Sequence, residues 1–367
     1  MRKLAEHGEA LLIPRRRRRR SGSVAPTLTD VAKQANVALS TASRAFSEPE
    51  RLGTETLRKV REAAEQLGYE PSPRPVVWRP EQDATTATAS VAVVVPDIAD
   101  PVYGIFVKAA QAQGRHRRQT IVLADTDHDP DHERQAITRL GAGSAGIVVC
   151  APRLDAEEVV DLCGDTPVVL VDRETTAADC VLTDAADGLR QTAEYLAALG
   201  HTHLAYVPGA QHSWAGGHRL DLARTHAEQA DLVLEVLGRQ SETVAGGTAA
   251  AAGVIASGAS AVIAHNDSIA LGIIAGARRL GFRVPDDLGV VGIGDTPLAE
   301  IADPSLTSIA VPMDRAGSLS LELLAQSAAG ERRKPRTLRL PTQLVVRGST
   351  GPVAGRAGRA AGRPTTR

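Results

Sequence analysis

Six polar residues stand directly after short Val/Ile-rich runs, where an α/β protein would form a ligand site. They are Asp97, Asp125, Asp172, Asn266, Asp267 and Asp295. Ligands of open parallel sheets bind at the carboxyl ends of the strands. A carboxylate or amide side chain at a strand end has two polar atoms, so it can form hydrogen bonds with two hydroxyl groups of a ligand. The pattern therefore predicts a small-molecule binding site and indicates no particular reaction.

Other polar clusters lack the patterns that catalytic or metal sites need. "GAGSAG" at 141–146 precedes a strand-like run, whereas a dinucleotide-binding loop follows a strand and opens a helix. "DTDHDPDHE" at 125–133 lies on a strand-to-helix turn, where acids favour a helix N-terminus. Cys150, Cys163 and Cys180 have no CxxC spacing, which favours free thiols in a reducing cytosol. We expect no enzyme, no metal and no cofactor.

The elements that position the six residues are strands alternating with helices from residue 90 onward. Runs such as "SVAVVVPD" and "SAVIAHND" alternate with amphipathic segments such as "LRQTAEYLAALG". This rhythm is typical of parallel sheets covered by helices on both faces. About seven such runs exceed one small sheet, so the sequence predicts two α/β subdomains.

Residues 27–71 have a different pattern, with three short helices. "TLTDVAKQAN" starts with a capping signal, "VALSTASRAF" follows a tight turn, and "TETLRKVREAAEQLG" is amphipathic. This layout is typical of a helix-turn-helix domain.

Charge divides the chain in the same way. The net charge of -1 conceals +7 over residues 1–80, -17 over 81–330 and +9 over 331–367. Basic ends around an acidic body indicate a polyanion-binding end on a domain with another task. The arginine run at 15–20 is followed by "SGSVAPTLTD" rather than an apolar segment, which argues against a signal peptide. No run is long enough for a membrane helix.

The sequence resembles the lactose-repressor (LacI/GalR) family of transcription regulators over roughly residues 27–350. The resemblance rests on "TLTDVAKQANVALSTASRAFS", "VREAAEQLGYEPS", "PDIADPVYGIF", "PVVLVDR", "AHNDSIALG" and "RLGFRVPDDLGVVGIGDTPLAEIADPSLTSI", all in the family order. It implies a helix-turn-helix headpiece and a periplasmic-binding-protein-like core of two parallel-sheet subdomains. It also implies a cytoplasmic, nucleoid-associated homodimer that binds palindromic operator DNA as a repressor, with affinity controlled by a small effector such as a sugar.

The domain boundaries expected on this basis are a disordered arm at 1–26, the headpiece at 27–71, a hinge and linker at 72–89, the core at 90–350 and a disordered tail at 351–367. Within the core we expect subdomain 1 at about 90–184 and 312–339, and subdomain 2 at about 185–311 and 340–350. The tail has no leucine heptads, which favours a dimer over a tetramer.

For DNA, the second helix should place Leu39, Ser40 and Arg44 at base edges in the major groove. Arginine can bond guanine in a bidentate manner, whereas leucine offers apolar contact only. Contacts to phosphate or sugar are expected from Thr27, Thr41, Ser43, Arg51 and Thr56. Ala38 stands where the family usually has Ser, which weakens the N-cap of this helix.

For the effector, the resemblance carries over nine positions: Tyr103, Phe106, Asp172, Arg173, Ser213, Trp214, Arg219, Asn266 and Asp295. This set suits a sugar, because planar polar side chains can hydrogen-bond its hydroxyl groups and aromatic rings can pack against its C–H surfaces. Ala185 and Ala215 depart from the family pattern, so a changed ligand or a weakened response stays open.

The hinge "SPRPVVWRP" allows two interpretations. In the family this segment forms a helix on operator DNA and wedges a side chain, usually Leu, into the minor groove; the ungapped position here is Trp78. Alternatively it is a proline-rich spacer. A solute-binding receptor with the same core fold is the alternative function, although a receptor needs a signal peptide and no headpiece.

Overall fold

A computed structural model describes residues 27–47, 52–67, 69, 90–211, 213–328 and 334–353. The chain divides into two compact units, residues 1–83 and 84–367. The expected arm, the hinge with Trp78, Arg51 and most of the tail lie outside the described residues. Within the described part of the chain, no helix has the length and apolarity that a membrane crossing requires.

The described residues of the first unit form three helices, as the sequence predicts. They are α1 (Leu28–Gln34), α2 (Leu39–Ser47) and α3 (Thr54–Leu67). Small and β-branched side chains fill the core between them, including Val31, Ala42 and Val60. Asn36 adopts a left-handed φ of 50° in the turn between α1 and α2, a conformation that asparagine tolerates better than most residues. The tight turn lets two short helices share one small core.

The second unit contains two six-stranded sheets. The first has the order β11-β5-β4-β3-β1-β2 and the second the order β12-β10-β9-β8-β6-β7. Their strands are β1 (Ser90–Val95), β2 (Thr120–Asp125), β3 (Ile147–Cys150), β4 (Val168–Val171), β5 (Asp179–Asp184), β6 (His203–Val207), β7 (Val233–Val236), β8 (Ala261–Ala264), β9 (Gly289–Gly294), β10 (Thr307–Ala310), β11 (Thr337–Pro341) and β12 (Gln343–Val345). All pairings are parallel except that of β10 with β12. The predicted fold class is confirmed, with one antiparallel edge strand added.

Helices cover both faces of each sheet. They are α4 (Pro101–His116), α5 (Pro130–Gly141), α6 (Ala156–Cys163), α7 (Ala186–Ala198), α8 (Trp214–Gln229), α9 (Val244–Ala256), α10 (Asp267–Arg279), α11 (Pro297–Ile301) and α12 (Met313–Ala328). Side chains of Asp100, Asp129, Ser213, Thr243 and Asn266 accept hydrogen bonds from backbone N–H groups in the first turns of their helices. Such caps satisfy donors that a helix leaves unpaired, and they place polar residues at the carboxyl ends of the strands.

The chain passes between the two subdomains three times. It crosses after β5, again between β10 and α12, and last between β11 and β12. Because β11 extends to Pro341, the third crossing lies two residues beyond the position expected from the sequence. Three connections thus join the subdomains, and residues that follow strands of both sheets, such as Asp172 and Asn266, line one cavity between them.

Candidate DNA-binding and effector-binding sites

Helix α2 has a polar, exposed face and a buried face. Ala42 and Ala45 are buried in the headpiece core, while Ser40 and Arg44 are exposed one turn apart. Leu39 is 50% exposed, which leaves an apolar group at the start of the helix free for contact. All three residues predicted to read base edges are therefore exposed on α2.

The start of α1 is held by Thr27, which was predicted to contact phosphate. Its hydroxyl donates to Asp30 Oδ2 at 2.7 Å and its backbone N–H donates to the same oxygen at 2.9 Å. These bonds lower the pKa of the Asp30 carboxyl. A hydrogen bond from the Thr27 hydroxyl to phosphate would replace its bond to Asp30 Oδ2, because both use the hydroxyl proton.

Helix α2 begins at Ala38 without a side-chain cap. The Ala38 carbonyl accepts from the N–H groups of Thr41 and Ala42 at 2.9 and 3.0 Å, but its methyl group cannot accept a bond from the first turn. Thr41, Ser43 and Thr56 are partly exposed, a degree of exposure compatible with backbone contacts to DNA.

In the core, Asp172 lies at the carboxyl end of β4 and lines the cleft. Its Oδ1 accepts from the backbone N–H and the hydroxyl of Thr183, both at 2.7 Å. Burial raises the pKa of Asp172, and the nearby Arg219 opposes this rise. Arg219 makes no hydrogen bond or ion pair with another described residue. A guanidinium beside a buried carboxylate, with unused donors, is suited to bind a ligand oxygen.

Two cavities share Asp172 and Arg219. One has a volume of about 30 Å³ and is also lined by Tyr103, Glu242 and Asn266. The other has a volume of about 10 Å³ and reaches Trp214 and Arg339. The Trp214 ring stacks on His218 with centroids 5.1 Å apart. Five of the nine predicted effector residues therefore surround one region: Tyr103, Asp172, Trp214, Arg219 and Asn266.

Asn266 uses all of its polar atoms. Its amide nitrogen donates to Asp100 Oδ2 at 2.9 Å and to the Glu242 carbonyl at 3.2 Å. Its oxygen accepts from the Ile269 N–H at 2.9 Å as the cap of α10. Asp100 belongs to subdomain 1, so the side chain joins the two subdomains. Both amide N–H groups of Asn266 are used, so a ligand that displaces no partner could bond this side chain only through the second lone pair of Oδ1.

The other four predicted effector residues have different surroundings. Phe106 is fully buried in the core between the first sheet, α4 and α12, because it lies on the inner face of α4. Arg173 pairs with Asp155 at 2.8 Å, and Arg347 pairs with Asp295 at 2.6 Å. The Ser213 hydroxyl accepts from the Gly216 N–H as the cap of α8.

The remaining strand-closing acids hold loops together. Asp97 accepts from the Ala99 N–H at 2.8 Å, and Asp125 accepts from the Ile98 N–H at 3.1 Å. Asp267 is buried and accepts from the Ser308 hydroxyl and the Thr296 N–H at 2.6 and 2.7 Å. Asp97, Asp125 and Asp267 thus hold loops at the strand ends.

A buried charged pair in the cleft was not predicted. Arg153 follows β3, Glu242 precedes α9, and Arg153 Nη2 lies 3.5 Å from Glu242 Oε1. The Arg153 and Glu242 side chains are 2% and 6% exposed. His265 Nε2 lies 3.6 Å from the same oxygen. The available signal was an arginine directly after a strand in "VVCAPR" and a histidine inside "IAHND", neither of which has a distinctive spacing.

The protonation states in this cluster follow from burial and from charge. Burial acts to raise the pKa of Glu242, but His265, Arg153 and other neighbours outweigh it, and the pKa lies below the usual value. Burial lowers the pKa of His265 to about 4. Because His265 is then neutral near pH 7, the permanent positive charge beside Glu242 is that of Arg153.

Comparison with known proteins agrees with this arrangement. Residues 27–72 match the model of bacterial regulatory proteins of the lacI family, and residues 193–350 match a periplasmic binding protein-like domain. The headpiece is thus a LacI-family domain. It is 27% identical over 337 residues to the HTH-type transcriptional regulator DegA of Bacillus subtilis, covering 89% of this chain and 98% of DegA.

Solved structures share the whole fold. A complex of the transcriptional regulator CelR with cellobiose has 28% identity and a TM-score of 0.64, covering 88% of this chain and 99% of CelR. A lac repressor dimer bound to operator has 24% identity and a TM-score of 0.66, covering 89% of this chain and all of that one. The chain thus combines a LacI-type headpiece with a periplasmic-binding-protein-like core.

Proposed function

We propose that this LacI-family regulator is a repressor that binds a palindromic operator as a homodimer and responds to a small hydroxylated effector. The observation that carries the proposal is the exposure of Leu39, Ser40 and Arg44 on α2, a helix whose Ala42 and Ala45 are buried in the headpiece core. Repressor, dimer and operator are the terms used for the lac repressor structure of the same fold. Thr41, Ser43, Arg51, Thr56 and Trp78 act as further DNA contacts in this proposal.

A sugar is the proposed effector class. The cleft offers the Asp172 carboxylate, the Arg219 guanidinium and the faces of Tyr103 and Trp214, which suit hydroxyls and C–H surfaces. CelR, of the same fold, is described in complex with cellobiose. The protein acts in the cytoplasm on the nucleoid and catalyses no reaction. The solute-receptor alternative does not account for the headpiece that residues 27–72 form.

DNA binding is tested with duplexes selected from a randomised pool. Fluorescence anisotropy of a selected palindromic duplex and of random duplexes, at several salt concentrations, separates specific from nonspecific affinity. We expect a steep salt dependence and a clear preference for the palindrome. Equal affinity for both duplexes at moderate salt contradicts the proposal.

Effector binding is tested with Trp214 fluorescence in a Trp78→Phe background, since the chain has only two tryptophans. A panel of mono- and disaccharides, cellobiose included, is titrated, and each ligand that changes the signal is added to the DNA-binding assay. A bound sugar that leaves DNA affinity unchanged contradicts the regulatory role of the cleft. The same titration decides whether the effector releases or promotes DNA binding.

A further inference from the structure

We propose that Arg153 and Glu242 form a latch that holds the two core subdomains closed before an effector binds. Arg153 belongs to the first sheet's subdomain and Glu242 to the second, and the pair is buried in the cleft between them. This latch rests on the proposed function in one respect only, that the effector binds in this cleft.

The two partners are positioned from opposite sides. The backbone N–H groups of Arg153 and Leu154 donate to the two oxygens of Glu133, at 2.9 and 3.1 Å. The Arg153 guanidinium also donates to His128 Nδ1. On the other side, the Ala210 N–H donates to Glu242 Oε1 at 3.1 Å. Each subdomain thus holds its own member of the pair in place, independently of the contact between them.

The contact itself leaves hydrogen-bonding capacity unused. At 3.5 Å the charged pair is longer than a good charge-assisted bond, and Arg153 Nε is buried with no hydrogen-bond partner among the described residues. The three described contacts of the Glu242 carboxylate, with Ala210, Arg153 and His265, all involve Oε1. A buried pair with incomplete bonding contributes little to folding stability, but it favours the arrangement in which the charges meet.

The closed arrangement has no room for a sugar. The cavity beside Glu242 has a volume of about 30 Å³, enough for only one or two water molecules, whereas ligand pockets have about 300 Å³ or more. A sugar can therefore enter only when the subdomains separate. Separation stretches the Arg153–Glu242 contact and the Asn266–Asp100 bond that also crosses the cleft. Glu242 Oε2 and Arg153 Nε then become available to the ligand.

The latch is tested by acrylamide quenching of Trp214 in the full-length Trp78→Phe protein, without DNA or sugar. Trp214 lies at the border between the subdomains, beside Leu182 and Arg339, so opening exposes its ring. Glu242→Gln keeps the side-chain shape and the oxygen that accepts from the Ala210 N–H, but it removes the negative charge. It should increase the fraction of molecules with separated subdomains and therefore raise the quenching constant about two-fold. Arg153→Met should do the same.

The double variant should quench no more than either single variant, because both changes break one contact. The matched control is Arg134→Gln, which removes an ion pair with Glu158 at 2.8 Å within subdomain 1 and should leave quenching at the parental value. An unchanged constant in the folded Glu242→Gln protein overturns the latch, as do additive effects or an equal rise in the control. DNA and sugar binding would survive that result, so the two proposals fail separately.

Discussion

Arg44 offers the sharpest test of how this protein reads DNA. It lies on the exposed face of α2, one turn from Ser40 and opposite the buried Ala42 and Ala45. Replacing it with Ala removes no core contact, and alanine favours a helix at least as well as arginine. We therefore expect the free energy of unfolding to change by less than about 0.5 kcal/mol.

The expected loss lies in sequence discrimination. A bidentate bond from arginine to guanine contributes about 1–3 kcal/mol of discrimination against other bases. The parental protein should prefer the selected duplex over a duplex in which the contacted guanine is replaced. Arg44→Ala should reduce this preference by a factor of about 5 to 150, which corresponds to the same 1–3 kcal/mol. Anisotropy titrations of both proteins on duplexes that differ at single base pairs measure this ratio.

Arg58→Ala is the matched control. Arg58 is an exposed cation of the same headpiece but lies on α3, where it pairs with Glu62 at 2.9 Å. Arg58→Ala removes the same positive charge as Arg44→Ala, so both variants should weaken nonspecific DNA binding to a similar, small extent. The reasoning is refuted if Arg44→Ala loses affinity equally on selected and random duplexes, or if Arg58→Ala abolishes the same base preference.

Three further changes have outcomes that follow from the sequence or the structure. Trp78→Ala should weaken binding and bending of the selected duplex in a gel-phasing assay while nonspecific binding persists; an equal loss on random DNA contradicts a minor-groove wedge. Ala38→Ser supplies the missing N-cap of α2 and should raise the free energy of unfolding by about 1 kcal/mol in urea titrations; no gain would show that the first turn is satisfied otherwise. His265 has a pKa lowered from 6.5 to about 4, so the unfolded chain takes up its proton first as pH falls. Its stabilising contribution is complete above pH 6.5 and declines toward pH 4, by about 3 kcal/mol in total. His265→Gln should flatten the fall in unfolding free energy over this range, and an unchanged slope contradicts the assignment.

Local signals were sufficient for the headpiece. Capping at Thr27 and Asp30, a short turn at Asn36 and an apolar stripe that includes Val60 determine three helices from neighbours along the chain. The Val/Ile runs likewise predicted parallel strands, because a strand buried on both faces leaves a continuous apolar signature. The antiparallel pairing of β12 left no such signal, since only three residues take part.

The cleft could be predicted only in part. The sequence by itself determined that Asp172 and Asn266 end strands or cap helices, and that Tyr103, Trp214 and Arg219 are chemically suited to a ligand. Tertiary structure decided that Phe106 packs in the core, that Arg347 neutralises Asp295, and that Arg153 meets Glu242. The physical reason is distance along the chain. Residues 89 positions apart become partners only when two subdomains close on each other, and no local pattern records which side chain will lie opposite.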